Sequence, residues 1–86
     1  MYQINIKKSA AKELSLLPKV FARNVTTSIL ALAENPRPTG CKKLKGTKTD
    51  IWRIRVGDYR ILYTIDDVIR IVDIHQIGHR KDIYEK

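Results

Sequence analysis

Residues 51–77 alternate apolar and polar side chains in three runs separated by turn dipeptides, and this pattern narrows the possible folds more than any other feature. In residues 51–56, Trp52, Ile54 and Val56 point one way and Ile51, Arg53 and Arg55 the other. Gly57-Asp58 and Asp66-Asp67 have turn composition and bound two further runs, 59–65 and 68–77. A period of two belongs to a half-buried strand, and turns this short join antiparallel neighbours. Such a meander has one apolar face, which something must cover.

The preceding half supplies the cover. Residues 2–7 alternate as a first strand, with Tyr2, Ile4 and Ile6 on one side. Ser9 is placed to cap a helix whose stripe is Ala11, Leu14 and Leu17. Pro18 interrupts that helix and suits the first turn of a second, over 18–34, with Phe21, Val25, Ile29 and Leu32 on one face. Asn35-Pro36 stops it, and Pro36, Pro38, Gly40 and Gly46 mark 35–50 as a loop. The expected fold is α+β, in the order β-α-α-β-β-β. A helical hairpin packs on one face of a mainly antiparallel four-stranded sheet, and a short turn or helix closes the chain over 78–86. Residues 1–86 make a single domain, close to the size below which one core needs staples.

Trp52, Ile54 and Val56 then belong under the helices, and Arg53 and Arg55 on the open face. Charge agrees with a polyanionic partner: 17 Lys and Arg stand against nine Asp and Glu, a net charge of +8. Residues 40–60 concentrate it, with Lys42, Lys43, Lys45, Lys48, Arg53, Arg55 and Arg60 against Asp50 and Asp58 alone. That segment lacks the helical spacing of a membrane-surface helix. No leader-like run opens the chain, and no stretch reaches the roughly 18 apolar residues of a membrane span. Together with the single Cys41, these features lead us to expect a cytoplasmic protein without membrane association.

Four pieces in order, Leu44-Lys45-Gly46, Trp52-Arg53-Ile54-Arg55, Gly57-Asp58-Tyr59-Arg60-Ile61-Leu62-Tyr63 and Gly78-His79-Arg80-Lys81-Asp82-Ile83-Tyr84, resemble the RelE/ParE toxins. The resemblance implies the toxin of a type II toxin–antitoxin system, bound by a small acidic antitoxin in a hetero-oligomer. RelE-like members enter the ribosomal A site and cut messenger RNA without a metal or other cofactor; ParE-like members inhibit DNA gyrase and are not nucleases. The Gly-His-Arg-x-x-x-Tyr ending is more typical of the RelE-like branch. Positions that are often lysine in that branch are Arg53 and Arg55 here, which keeps charge and alters geometry.

Metal-free cleavage runs by attack of a 2′-hydroxyl on the adjacent phosphorus, and needs a base, an acid and positive charge for the phosphorane. Arginine suits the last task, offering phosphate a planar fork of donors. Arg60 and Arg80 are candidates to grip the scissile phosphate, and Tyr84 or His79 to move protons. Arg53, Arg55, Lys43, Lys45 and Lys48 are candidate RNA contacts. His75 is the weaker titratable candidate, expected to pair with Asp73. No third ligand completes a zinc set with His75 and His79. A gyrase inhibitor of the same fold and a noncatalytic nucleic-acid-binding domain are the competing readings.

Overall fold

The computed structural model describes residues 1–46 and 49–79. Its elements are β1 (Gln3–Ile6), α1 (Lys8–Ser15), α2 (Lys19–Ala31), β2 (Lys42–Lys43), β3 (Trp52–Val56), β4 (Tyr59–Asp66) and β5 (Ile71–His79). They form an α+β fold with one mixed sheet of order β1-β5-β4-β3-β2. β1 runs parallel to β5, and the other described pairings are antiparallel.

The sheet has five strands where the alternation marks four. The addition, β2, lies inside the expected loop. Two lysines have no strand period of their own; β3 holds them, pairing Lys42 with Arg53 and Lys43 with Trp52. The Leu44 amide extends this ladder, donating to the Ile51 carbonyl at 2.8 Å. β2 stops at Lys42, so β3 beyond Arg53 lies along an open edge.

The opposite edge is closed by side chains of α1. Ser9 is not the helix cap: Lys7 precedes the first turn, and no side chain caps it. The Ser9 hydroxyl donates instead to the His75 carbonyl at 3.4 Å, and Glu13 Oε1 accepts the Ile77 amide at 2.8 Å. Both bonds satisfy β5 where β1 has ended. Ser9 and Glu13 lie one turn apart and so reach alternate edge groups of β5. The buried member of the α1 stripe is Ala10, and Ala11 faces out; spacings of four and three through Leu14 and Leu17 follow the helix better than two spacings of three.

α2 begins one residue later than expected, with Pro18 outside the first turn and its carbonyl accepting the Ala22 amide at 2.9 Å. Regular helix ends at Ala31. Residues 32–34 then tighten, their amides bonding three residues back to Ile29, Leu30 and Ala31. Asn35 Oδ1 accepts the Arg37 amide at 3.1 Å and turns the chain away. Val25, Ile29 and Leu32 are buried as expected, but Phe21 is 46% exposed. It lies at the rim, its ring 5.5 Å from that of Tyr59.

The core joins Ala10, Val25, Ile29 and Leu32 to Ile54, Ile61, Tyr63, Val72, Ile74 and Ile77. The hydroxyl of buried Tyr63 donates to the Pro36 carbonyl at 2.7 Å and ties the exit of α2 to the sheet. Burial, with the Cys41 thiol alongside, pushes this phenol up and keeps it a neutral donor. The turn before β5 is longer than the sequence implies. Val68 and Ile69 are exposed, and Asp66 Oδ1 accepts both their amides at 3.0 and 3.1 Å. A local acceptor has won these donors from the ladder. Nearby, Asp67 receives both guanidinium nitrogens of Arg37 (2.9 and 3.3 Å) and the Tyr2 hydroxyl (2.6 Å). These bonds, Arg37 first, hold the Asp67 carboxyl below the usual carboxylate range.

One irregularity interrupts the sheet. Leu62 pairs with Gln76, but Tyr63 pairs with Ile74, leaving His75 without an opposite residue. This β-bulge explains a core spacing of two and then three, Val72, Ile74 and Ile77, that unbroken alternation forbids.

Candidate functional site

Cross-strand partners share a face, so the register shows what stands opposite the helices. One row across the sheet reads Lys42, Arg53, Leu62, Gln76, and the next reads Arg55, Arg60, Gly78. Two residues of strand, about 7 Å, separate the rows. The structure thus brings together Arg53, Arg55 and Arg60, as the alternation implied, and adds Lys42.

Exposure differs within this cluster. Arg55, opposite Arg60 but on the open-edged strand, is exposed; Arg53 and Arg60 are only 5% and 2% exposed. The expectation that Arg53 and Arg55 emerge on an open face holds for Arg55 and is corrected for Arg53, which is buried. The Nε atoms of Arg53 and Arg60 are sealed from solvent. Of the three arginines, Arg55 is the one whose side chain is presented to solvent.

The register also sets like charges opposite each other, Lys42 with Arg53 and Arg55 with Arg60. Like charges set opposite one another favour an anion placed between them. Beside the rows, where β3 runs past the end of β2, a cleft of about 520 Å³ opens between α2 and the strand edge. Leu32, Pro38 and Gly40 form its wall and Lys42, Arg53 and Arg55 its basic rim.

Other candidates are placed elsewhere. His79 pairs with Tyr59 on the helix side, its ring edge-on to the tyrosine with centroids 5.7 Å apart. The structure does not bring it to the arginines, because the bulge turns Gly78 to their face and His79 to the other. Lys43 pairs with Trp52, also off the arginine face, and approaches Asp50 at 3.8 Å. Lys45 is exposed in the bend after β2. Lys48, Arg80 and Tyr84 lie outside the described residues.

His75 does share the arginine face, as a weaker candidate. The expected pairing with Asp73 is replaced: Nε2 of His75 lies 2.9 Å from Thr64 Oγ1, and Asp73 accepts the Asn5 side-chain amide at 2.6 Å. Sequence reasoning missed Lys42 and Gln76 as members of this face. The two-then-three spacing of Val72, Ile74 and Ile77 is the signal that reveals Gln76; no local signal reveals Lys42. Among the described residues, no cluster of three or more His, Cys, Asp or Glu is placed to hold a metal ion.

This architecture has known counterparts. Residues 4–84 match the family model described as ParE toxin of type II toxin–antitoxin system. Toxin RelE of Mycobacterium tuberculosis is 36% identical over 84 residues, covering 96% of this chain and 86% of the relative. Toxin RelG of the same organism is 33% identical over 86 residues, covering 99% and 98%. The chain is a RelE-like toxin of the RelE/ParE superfamily, of the type II toxin–antitoxin kind. Among solved structures, the toxin fold superposes on a chain of the archaeal RelE–RelB complex of Pyrococcus horikoshii with a TM-score of 0.81. That match has 31% identity and covers 92% of this chain and 94% of the other. The sequence pieces that resemble the family and fall within the described residues therefore sit in the family's fold. In this toxin the second and third pieces form the hairpin of β3 and β4 that carries the three arginines.

Proposed function

We infer that this toxin is a metal-independent endoribonuclease that cuts messenger RNA in the ribosomal A site and so inhibits translation. The observation that carries the reading is the pair of basic rows opposite the helices, with Arg53, Arg55 and Arg60 gathered on two adjacent strands. RNA is recognised mainly through phosphates and splayed single-stranded bases, and a flat basic sheet face suits both. Arg60, held rigidly at the centre, is assigned to the scissile phosphate together with Arg80. Arg53, Arg55 and Lys42 neutralise flanking phosphates.

The 2′-hydroxyl oxygen attacks phosphorus, forming a cyclic phosphate as the bond to the 5′-oxygen breaks. The proton leaves the 2′-oxygen for a base, and the departing oxygen takes one from an acid. Tyr84 is assigned to this proton traffic. The position of His79 beside Tyr59 favours a packing role for it. A small acidic antitoxin is the expected partner, since relatives have been solved as RelE–RelB complexes, and the cytoplasm the expected compartment.

The test is to induce the chain in a host cell and map messenger ends within minutes. Cuts inside translated codons that vanish when translation is blocked support the reading, whereas growth arrest with intact messenger overturns it. Inhibition of DNA gyrase is the second reading, favoured by the family model's ParE description. Loss of supercoiling activity at micromolar toxin supports that reading, and unaffected supercoiling rejects it.

A further inference from the structure

The bulge in β5 has a consequence on the basic face. Ile74 and Ile77 both point into the core, so the two residues between them, His75 and Gln76, are consecutive yet share the arginine face. Regular strands never place neighbours side by side in this way. Bulges recur beside active sites, where they re-aim side chains.

These two side chains differ in freedom. The His75 ring is half-buried and anchored by Thr64 at 2.9 Å, with its backbone carbonyl held by Ser9 of α1. Gln76 is exposed, and it occupies the same row as Arg53, on the far side of Leu62. The adjoining row ends in Gly78, which presents no side chain opposite Arg60. A phosphate held by this row, whose exposed member is Arg55, therefore has a side-chain-free position at Gly78 and a carboxamide about 7 Å further along β5. That distance suits a ribose and its base.

We propose that Gln76, with His75 steadied by Thr64, forms a nucleobase-reading site that sets the cleavage preference of this toxin. The ligand class is a single, unstacked RNA base whose edge presents a donor beside an acceptor, as the N6 and N7 edge of adenine does. A carboxamide matches such an edge with two hydrogen bonds, and the imidazole supplies a flat surface beside it. The arginines contact only phosphate and give no such discrimination. The site rests on the nuclease reading, because it selects among substrates for that reaction.

The experiment uses the purified full chain with ribosomes translating a messenger library that varies every base around the cut. Gln76→Glu keeps the shape and turns a donor into an acceptor, and Gln76→Ala removes the group. Both are expected to change the base preference at one position by roughly tenfold, the discrimination a paired contact supplies. Thr64→Val, which releases the His75 ring, weakens the same preference and serves independently if a Gln76 variant misfolds. Gln3→Glu, on the same face but at its far end, leaves the preference unaltered. A wild-type preference that survives all three variants overturns the proposal, as does a wild type that cuts without base preference. A wild-type chain that leaves every messenger whole removes the nuclease reading itself, and the base-reading site with it.

Discussion

The helix-covered face of the sheet sets Ile54, Ile61, Tyr63, Val72, Ile74 and Ile77 against α1 and α2, with none more than 7% exposed. The opposite face sets Lys42 against Arg53 and Arg55 against Arg60. The first arrangement follows from burial: each side chain gains by leaving water, roughly 25 cal/mol per Å² of apolar surface. The second has no such source of stability, since like charges directly across a ladder repel one another. A small domain has little stability to spare, and apolar burial does not account for like charges set opposite one another on this face.

Substitutions on each face test that division, beginning with the strongest. Ile61→Ala empties a fully buried site in the core and is expected to cost about 3 kcal/mol, read from the urea midpoint. A loss under 1 kcal/mol would show that the helix face is not the stabilising one. Arg60→Ala is expected to slow messenger cleavage about 10²- to 10³-fold, the effect of removing one preorganised charge contact in a transition state. Its stability loss should be the smaller of the two, because the Arg55 repulsion is relieved while the packing of the arginine stem is lost. Equal destabilisation by both substitutions would erase the distinction between the faces.

Arg55→Glu converts a like pair into an opposite pair and is expected to raise stability by a few tenths of a kcal/mol. The same change should lower RNA affinity and flatten its dependence on salt. Unchanged salt dependence would remove Arg55 from the binding face. The smallest effect belongs to the rim. Asp67 has a lowered folded-state pKa, so its contribution is complete above the unfolded carboxylate range, near pH 4. It is lost as the pH falls through the lowered value. Asp67→Asn should therefore reduce stability at neutral pH and flatten the acid limb; an acid limb identical to wild type would show that the bonds from Arg37 and Tyr2 are inert.

The helix face was legible in the sequence because burial imposes a period. Val25, Ile29 and Leu32 repeat at helical spacing, Ile54 and Ile61 fall on strand alternation, and the structure keeps them buried. The arginines were legible by the same alternation, read on its other side. What escaped notice depends on contacts distant in sequence. β2 exists only because β3 pairs with two lysines that carry no strand signal. Ser9 resembles a helix cap locally, and only the exposed edge of β5 draws its hydroxyl away. His79 was expected in a closing turn or short helix beyond Ile77, whereas β5 continues through it and its pairing with Tyr59 sets it on the helix side.

That added residue can also be considered as a matter of length. Omit His75, and the remaining residues of β5 alternate without a fault, Val72, Ile74, Ile77 and His79 inward and Asp73, Gln76 and Gly78 outward. The apolar alternation of β5 would be complete in a strand one residue shorter. His75 is thus an insertion that the framework does not require, accommodated where the sheet meets its charged face. The extra residue changes only what the arginine face displays, so the length of β5 is matched to that face and not to the apolar one.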